Sequence, residues 1–244
     1  MDDSPLDPNQ RSTQKVLYGR RYGRGLRLRQ QQLLVSLLPK LRIQPCAGEQ
    51  IALVDCFETH IEKVWLEIGF GAGEHLIWQA VANPLIGLIG CEPYLNGVAK
   101  LLRRVSEQEL ANIRLFCEDA RLLIERLPDS SIDKVFILFP DPWPKVRHHK
   151  RRIISGEVLD QLARVLKDRG EIRIATDEMG YLEWILWHFN NHCGFSWDIE
   201  KPADCWHSPA DWPATRYQKK AVIAGRQCIF LSYKRLDRAI FKPR

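Results

Sequence analysis

Hydrophobic positions along this chain fall into two alternating patterns: short continuous runs, and runs spaced three or four residues apart. The leucine-rich stretch from Gln30 to Leu41 has the spacing of an amphipathic helix. From residue 63 onward, short apolar runs typical of buried strands alternate with helical patterns. The predicted strands cover residues 64–68, 85–91, 113–117, 134–139, 171–175 and 226–233, and the predicted helices cover residues 74–81, 95–108, 120–126, 153–167 and 179–189.

This alternation predicts an α/β protein built on a parallel sheet, because helices that join parallel strands cover both faces of the sheet. The length of 244 residues corresponds to one or two domains at roughly 150 residues each. Residues 1–13 are polar with two prolines, which predicts a disordered tail. Residues 14–48 are expected to form a basic segment with one helix, and residues 49–244 the main domain.

Acidic residues follow the predicted strands at their carboxyl ends. Glu67, Glu92, Asp119, Asp141 and Asp177 occupy five such positions in succession. Each acid alone could be only the N-cap of the next helix. Parallel sheets bind ligands beyond the carboxyl ends of their strands, so five acids together indicate one shared crevice.

The turn after the first strand is rich in glycine, with Gly69, Gly71 and Gly73 at every second position. Glycine lets the backbone turn tightly and lets a ligand approach closely. The third glycine comes one residue too early for the dinucleotide fingerprint, and Glu67 would repel a pyrophosphate. A ligand that has an ammonium group and no phosphate suits the turn better, which favours S-adenosylmethionine.

Two further acids match the same ligand by position. Glu92 lies 23 residues after Gly69, the spacing expected of a carboxylate that accepts ribose hydroxyls. Asp119, at the end of the third strand, is placed to accept a hydrogen bond from an adenine amino group. Together with the glycine turn they indicate a class I methyltransferase. An α/β fold with a different nucleotide site remains an alternative at this point.

Positive charge is in excess and is concentrated in two blocks. The chain has 36 Lys and Arg against 30 Asp and Glu. Residues 8–48 hold nine Lys or Arg and no acid, and residues 145–152 add five more with two His. Such blocks favour a polyanion through release of counterions. A solvated basic tail is the alternative for the first block.

The second basic block directly follows a stiff turn, Phe139–Lys145, which contains three prolines. Trp143 in this turn could stack on a base or simply pack inside the fold. Arg147, Lys150, Arg151 and Arg152 are predicted to position a nucleic acid without reading its sequence. The two histidines between them are assigned to the same face, and no metal is expected.

These motifs resemble those of the bacterial tRNA (guanine-N7)-methyltransferases, from about Tyr18 to the C-terminus. The matching segments are Arg20–Arg24, Leu66–Gly73, Phe139–Arg152, Ala175–Asp177 and Thr215–Gln218. The resemblance implies a Rossmann-like class I methyltransferase fold, with a largely parallel seven-stranded sheet and helices on both faces. It also implies methyl transfer from S-adenosylmethionine to N7 of a guanine in tRNA, the variable-loop guanine at position 46.

The resemblance also implies roles for individual residues. The donor site would comprise Glu67, Gly69, Gly71, Gly73, Glu92, Asp119 and Asp141. Asp141 would also be the catalytic residue. The substrate guanosine would be bound by Lys145, Asp177, Thr215, Arg216, Tyr217 and Gln218, and the tRNA by Arg147, Lys150, Arg151 and Arg152.

The chain departs from the family pattern at Gln218, where the family usually has Glu. An amide keeps an acceptor oxygen, loses the charge and adds a donor. Recognition of the guanine N1–H and amino group is therefore expected to be weaker.

Two other functions are alternatives to this one: another RNA or amine methyltransferase, and an RNA-binding module without catalysis. An N6-adenine or other amine methyltransferase would favour Asn or Asp followed by two prolines and an aromatic residue, whereas Asp141 is followed by Pro142 and Trp143. An RNA-binding module without catalysis would explain the basic blocks but not the acids at the strand ends.

The remaining composition bears on the compartment and on partners. Seven cysteines form no CxxC pair, which fits a reducing cytoplasm. The apolar runs are far shorter than the roughly 20 residues that span a bilayer, and the first residues do not have the pattern of a signal peptide. Together with the two basic blocks and the family resemblance, these features lead us to expect tRNA as the partner and no association with a membrane. The sequence leaves open whether the protein is a monomer or a homodimer.

Overall fold

The computed structural model describes residues 21–23, 25–44, 49–199 and 201–239. The predicted tail at residues 1–13 and the residues Arg20 and Arg24 of the first motif lie outside this part of the chain.

One sheet of seven strands forms the centre of the described chain. The strands are β1 (Lys63–Ile68), β2 (Ile86–Cys91), β3 (Ile113–Phe116), β4 (Ile132–Leu138), β5 (Leu166–Thr176), β6 (Phe195–Trp197) and β7 (Ile229–Arg235). Their order is β3-β2-β1-β4-β5-β7-β6, and the first five are parallel, while β7 pairs antiparallel with both β5 and β6. The α/β class and the largely parallel seven-stranded sheet are confirmed.

Helices occupy the connections that the periodicity predicts, and one further helix, α8 (Arg216–Ile223), was not predicted. They are α1 (Leu28–Ser36), α2 (Leu38–Leu41), α3 (Glu74–Ala82), α4 (Leu95–Glu107), α5 (Ala120–Ile124), α6 (Gly156–Val165), α7 (Met179–Asn190) and α8 (Arg216–Ile223). Short 3₁₀ turns cover Leu53–Cys56, Val146–Arg151 and Pro202–Trp206.

Several of the predicted boundaries are wrong, among them those of two predicted helices. The predicted helix from Gln30 to Leu41 is two helices, because Pro39 has no N–H and fits only the first turn of a new helix. The helix predicted at residues 153–167 ends at Val165, and β5 begins at Leu166.

The N-terminal helices pack onto the main fold. Leu38 and Leu41 of α2 are buried in a cluster with the inner faces of α3 and α4. The N–H of Ile43 donates to the Leu115 carbonyl of β3 (2.8 Å), which fastens the segment to the edge of the sheet. The described part of the predicted 14–48 segment therefore belongs to the same core as the sheet. No helix among the described residues is long and apolar enough to cross a membrane.

Candidate active site at the carboxyl edge of the sheet

A cavity of about 410 Å³ lies beyond the carboxyl ends of β1 to β4. Three of the five predicted acids line it: Glu92, Asp119 and Asp141. Glu67 and Asp177 do not. The cavity, which we call the donor cavity, is also lined by Gly69, Gly71, Tyr94, Phe139, Trp143, Arg151 and Tyr217.

The glycine turn forms one wall of the donor cavity, with backbone angles that favour glycine. Gly69, Gly71 and Gly73 have φ values of 76°, 58° and 73°, all in the left-handed region. A Cβ on Gly73 would lie 2.3 Å from the Leu101 side chain, so this glycine permits close packing against α4. At Gly69 a Cβ would meet nothing within 4 Å, so space is available for a ligand beside the backbone.

Glu92 fixes the shape of this wall. Its carboxylate accepts hydrogen bonds from the N–H groups of Gly71 (2.8 Å) and Tyr94 (3.0 Å). Burial raises the pKa of Glu92, these two hydrogen bonds oppose that rise, and the nearby charges of Asp141 and Glu67 add to it. Carboxylate oxygens have further lone pairs, so Glu92 retains acceptor capacity toward a bound diol.

Asp119 serves as the N-cap of α5. Its side chain accepts from the backbone N–H of Arg121 (3.0 Å) and from the guanidinium of the same residue (3.0 Å). Asp119 is therefore an N-cap, the alternative role considered for an acid that follows a strand. Asp119 nonetheless lines the donor cavity, so capping and ligand contact are compatible.

Asp141 lies in a strained turn after β4. Phe139 and Trp143, on either side of it, have φ values of 49° and 43°, an unfavourable conformation for residues with a Cβ. Such strain persists only where the surrounding structure enforces it, and it clusters at functional sites. The Phe139 N–H donates to the Ala175 carbonyl (2.8 Å), and the Asp141 side chain is exposed at the cavity.

Arg152 holds the other side of this turn from inside the protein. Its Nε donates to the Pro142 carbonyl (2.8 Å), and its guanidinium lies 4.9 Å and 4.8 Å from the ring centroids of Tyr181 and Trp184. Only 4% of Arg152 is exposed. The structure therefore corrects its predicted place among the tRNA-contacting residues, because a buried guanidinium cannot meet a phosphate backbone.

For the rest of the second basic block, the structure agrees better with the predicted contact with tRNA. Arg147 and Lys150 are exposed on the 3₁₀ turn Val146–Arg151. Arg151 lies over the Trp143 ring, 4.9 Å from its centroid, at the rim of the donor cavity. Desolvation and the positive charges of its neighbours lower the pKa of His148, so this imidazole is neutral near pH 7. No group of three or more potential metal ligands occurs within the described ranges.

Glu67 is buried behind the glycine turn. Its carboxylate lies 2.8 Å from Nδ1 of His75, whose Nε2 lies 3.1 Å from the side-chain nitrogen of Gln79. That nitrogen also donates to the Asp211 carbonyl (3.0 Å), just before the substrate motif. The sequence analysis missed His75 and Gln79, although their positions in the first two turns of α3 place them against the end of β1.

The substrate motif at residues 215–218 begins a helix that the sequence analysis did not predict. Thr215 caps α8 by accepting from the Gln218 N–H (3.2 Å). The Tyr217 ring lies against Gly71, where a Cβ would be 3.2 Å from it, and lines the donor cavity. Arg216 lies at its flank, in a small pocket shared with Glu67.

The other predicted substrate residues lie away from the lining of the donor cavity. Gln218 Oε1 is buried, and no described residue donates to it. Asp177 accepts from Nε of Arg226 (2.7 Å), and Lys145 is exposed after the strained turn. Neither Asp177 nor Lys145 lines the donor cavity.

Comparison with known proteins agrees with this arrangement. Residues 61–231 match a family model described as "Putative methyltransferase". The chain is 46% identical to the tRNA (guanine-N(7)-)-methyltransferase of Rhodospirillum rubrum, over 91% of this chain and 88% of that protein. It is 48% identical to the protein of the same name from Paramagnetospirillum magneticum, over 91% and 93% of the two chains. This chain belongs to the tRNA (guanine-N7)-methyltransferase family.

Solved structures support the fold of this family member. The 16S rRNA methyltransferase KamB is similar with a TM-score of 0.56 at 15% identity, over 79% of this chain and 97% of that one. An rRNA methylase from Streptococcus thermophilus is similar with a TM-score of 0.50 at 13% identity, over 73% and 89% of the two chains. The family resemblance and the class I methyltransferase fold expected from the sequence are both confirmed.

Proposed function

We propose that this protein transfers a methyl group from S-adenosylmethionine to N7 of guanine 46, in the variable loop of tRNA. The observation that supports this most strongly is the exposed Asp141 carboxylate, which lines the donor cavity together with the glycine turn in a chain of this family. The proposal extends the family relationship to a defined nucleotide and to defined side chains.

The donor cavity fits S-adenosylmethionine in size and in chemistry. Its volume of about 410 Å³ lies within the range of small-molecule sites, about 300–1,000 Å³. The open space at Gly69 admits a ligand against the backbone, and Glu92 has acceptor capacity for the ribose hydroxyls. Asp119 lies at the same cavity for the adenine amino group. When bound, the donor supplies an electrophilic methyl carbon on a sulfonium.

The acceptor requires alignment more than proton transfer. Guanine N7 has a lone pair and no proton, so it attacks the methyl carbon directly while the carbon–sulfur bond breaks. The product base gains a positive charge and the sulfur becomes neutral. No general base is needed, and the main contribution of the protein is to hold the reactants in line. A carboxylate beside the ring would stabilise the charge that develops there, and Asp141, which lines the donor cavity, would have this role.

The acceptor base would enter beside Tyr217, which lines the donor cavity and belongs to the substrate motif. The resemblance adds Lys145, Asp177, Thr215, Arg216 and Gln218 to this side. A base in a single-stranded loop is reached at less cost than a base inside a duplex, which favours the variable loop. The exposed Arg147 and Lys150 would hold the neighbouring phosphates.

The test is nucleoside mass spectrometry of unmodified tRNA after incubation with the protein and S-adenosylmethionine. We expect one 7-methylguanosine per tRNA, mapped to position 46 by nuclease digestion. The matched control is the same tRNA with guanine 46 replaced by adenine, which is expected to gain no methyl group. Methylation at another guanine would contradict the position, and methylation of an exocyclic amine would contradict the reaction.

A further inference from the structure

A second concave surface lies next to the donor cavity, between the N-terminal segment and α4. It encloses about 1240 Å³ and is bounded by residues 22–23, 25–27 and 29–30, by α4, by Ala72 of the glycine turn and by Glu74 at the start of α3. Six positively charged side chains line it. They are Arg27, Arg29, Lys100, Arg103, Arg104 and Arg216, and we call this surface the basic cleft.

The acids near the basic cleft do not neutralise it. Glu107 lies 4.0 Å from Arg29 and 3.8 Å from Arg103, and Glu74 lies 4.0 Å from Arg104. Ion pairs at this distance on the surface contribute about 0–1 kcal/mol, so a polyanion can displace them. Among the described residues, two carboxylates therefore face six cations, and the cleft keeps an excess of positive charge.

The wall formed by the N-terminal segment is fixed by the backbone. The N–H of Leu95 donates to the Arg21 carbonyl (3.0 Å), and the N–H of Gly23 donates to Asn96 Oδ1 (2.8 Å). A Cβ on Gly23 would lie 2.1 Å from the Tyr94 hydroxyl, so the segment lies directly on the start of α4. These contacts hold the N-terminal segment against the start of α4, so this wall of the basic cleft belongs to the fold.

The basic cleft adjoins the donor cavity. Tyr94 lines both the cleft and the donor cavity, and Arg216 of the substrate motif lines the cleft as well. Tyr22 is 70% exposed at its rim. A charged groove with an exposed aromatic ring is typical of surfaces that bind a nucleic-acid strand.

We infer that the basic cleft binds a stretch of the phosphodiester backbone of the same tRNA whose guanine enters the donor cavity. This inference rests on the proposed function and adds a contact surface separate from the exposed residues of the Val146–Arg151 turn. Its volume exceeds the usual range for small-molecule sites, about 300–1,000 Å³. Lys100 and Arg103 are three residues apart on one face of α4, with Cβ atoms about 5–6 Å apart, so both can contact one strand.

The test is the affinity for unmodified tRNA as a function of salt, in the variant Lys100→Glu/Arg103→Glu. Both side chains are exposed, and neither lies in the donor cavity. Lys63→Glu/Lys201→Glu is the matched control, because it changes the same charge at exposed positions outside both cavities. Donor affinity is measured by calorimetry in both variants.

We expect the α4 variant to bind tRNA about tenfold or more weakly near 0.1 M salt, with donor affinity unchanged. Its plot of log affinity against log salt should be shallower by about 0.7–0.9 for each lost phosphate contact, so by roughly 1.4–1.8 for two contacts. The control variant should match the wild type in tRNA affinity. Equal tRNA affinity and equal salt slope in the two variants would overturn the inference.

A second measurement needs no variant and separates this inference from the proposed function. Chemical acetylation of lysines in the wild-type protein is compared with and without tRNA. We expect tRNA to protect Lys100 and to leave Lys63 reactive. Equal acetylation of Lys100 in both states would contradict the inference even if the α4 variant failed to fold. Protection of Lys100 without methylation at position 46 would contradict only the proposed function.

Discussion

At the scale of single residues, the five acids at the strand ends differ in whether other groups of the protein already bind their carboxylates. His75 contacts Glu67, backbone N–H groups bind Glu92, Arg121 pairs with Asp119, and Arg226 with Asp177. For Asp141, the structure gives no hydrogen bond or ion pair with any described residue. A carboxylate at a cavity with no partner among the described residues is available to the reactants, which supports the catalytic role proposed for Asp141.

Asp141→Asn should therefore separate catalysis from stability. We expect single-turnover methylation of tRNA to fall by about 10²–10³, the usual effect of removing an electrostatic contact to the transition state. The thermal midpoint should hardly move, because exposed substitutions without partners change stability by about 0.5 kcal/mol or less. A wild-type methylation rate in this variant would disprove the role of Asp141.

Gln218 offers a second test at this scale. Its Oε1 is buried and accepts no hydrogen bond from any described residue, and the family resemblance implies Glu at this position. Hydrogen bonds to a charged acceptor are about twice as strong as neutral ones. We expect Gln218→Glu to raise kcat/KM for tRNA several-fold, whereas Gln218→Ala should lower it. A decrease in the Glu variant would show that the amide is the adapted group here.

The sequence predicted where the acids lie but not what each one contacts. Strand ends and glycines leave a local pattern, so the positions of Glu92, Asp119 and Asp141 followed from periodicity. Partners such as Arg226 for Asp177 come from distant parts of the chain, and no local pattern records them. The same holds for Arg152, whose burial depends on Tyr181 and Trp184 of α7.

At the scale of elements, α4 shapes the donor cavity through one close contact. A Cβ on Gly97 would lie 2.2 Å from the Gly71 carbonyl oxygen, so the helix can approach the glycine turn only with glycine at this position. We expect Gly97→Ala to displace the turn and to weaken donor binding about tenfold or more. The stability loss should be about 1–3 kcal/mol, as for other overpacked sites.

Calorimetry with S-adenosylmethionine measures this effect. The matched control is Gly156→Ala at the start of α6, where a Cβ would meet nothing within 4 Å. Donor affinity unchanged in Gly97→Ala would show that the glycine turn does not depend on the contact with α4.

The turn that presents Asp141 depends on Arg152, whereas exposed Arg147 is proposed to act on tRNA. Arg152→Ala leaves the Pro142 carbonyl without its donor and removes the stacking on two rings, so we expect a loss of about 2–4 kcal/mol in stability. Arg147→Ala should leave the urea midpoint unchanged and lower tRNA affinity. Equal stability of the two variants would contradict the positioning role of Arg152.

The elements that the sequence analysis missed share a physical cause. Strand β6 has three residues, too few to establish an alternation, and two of them are exposed. Helix α8 buries only Ala221, so its sequence is polar and has little apolar periodicity. Long elements with a buried face were predicted well, because burial is what imposes a period on the sequence.

At the scale of the whole molecule, a charge network joins the middle of the sheet to the loop before α8. Glu171 of β5 accepts from Lys134 (2.8 Å), from Arg173 (2.6 Å) and from Ser232 (2.9 Å), and Arg173 also donates to Asp211 (2.7 Å). Burial opposes ionisation of Glu171, but its hydrogen bonds and the charges of Arg173 and Lys134 prevail and lower its pKa to about 2.

This network is expected to make the free energy of unfolding fall in acid. In the unfolded chain Glu171 binds a proton below about pH 4.5, whereas in the folded chain it does so only below about pH 2. Its stabilisation is therefore complete above about pH 4.5 and is lost as the pH falls toward 2, by about 3 kcal/mol in all. Urea unfolding of Glu171→Gln should show lower stability at pH 7 and a smaller loss between pH 5 and pH 3 than the wild type.

The contact of Tyr217 with Gly71 has a consequence for the kinetics of the whole enzyme. The Tyr217 ring belongs to the substrate motif and also lines the donor cavity. Each bound reactant would therefore form part of the surface that the other reactant contacts. Binding of either should therefore strengthen binding of the other by the same factor, since thermodynamic coupling is reciprocal. The methyl donor would then be committed to reaction chiefly when an acceptor is in place, which protects it from unproductive turnover.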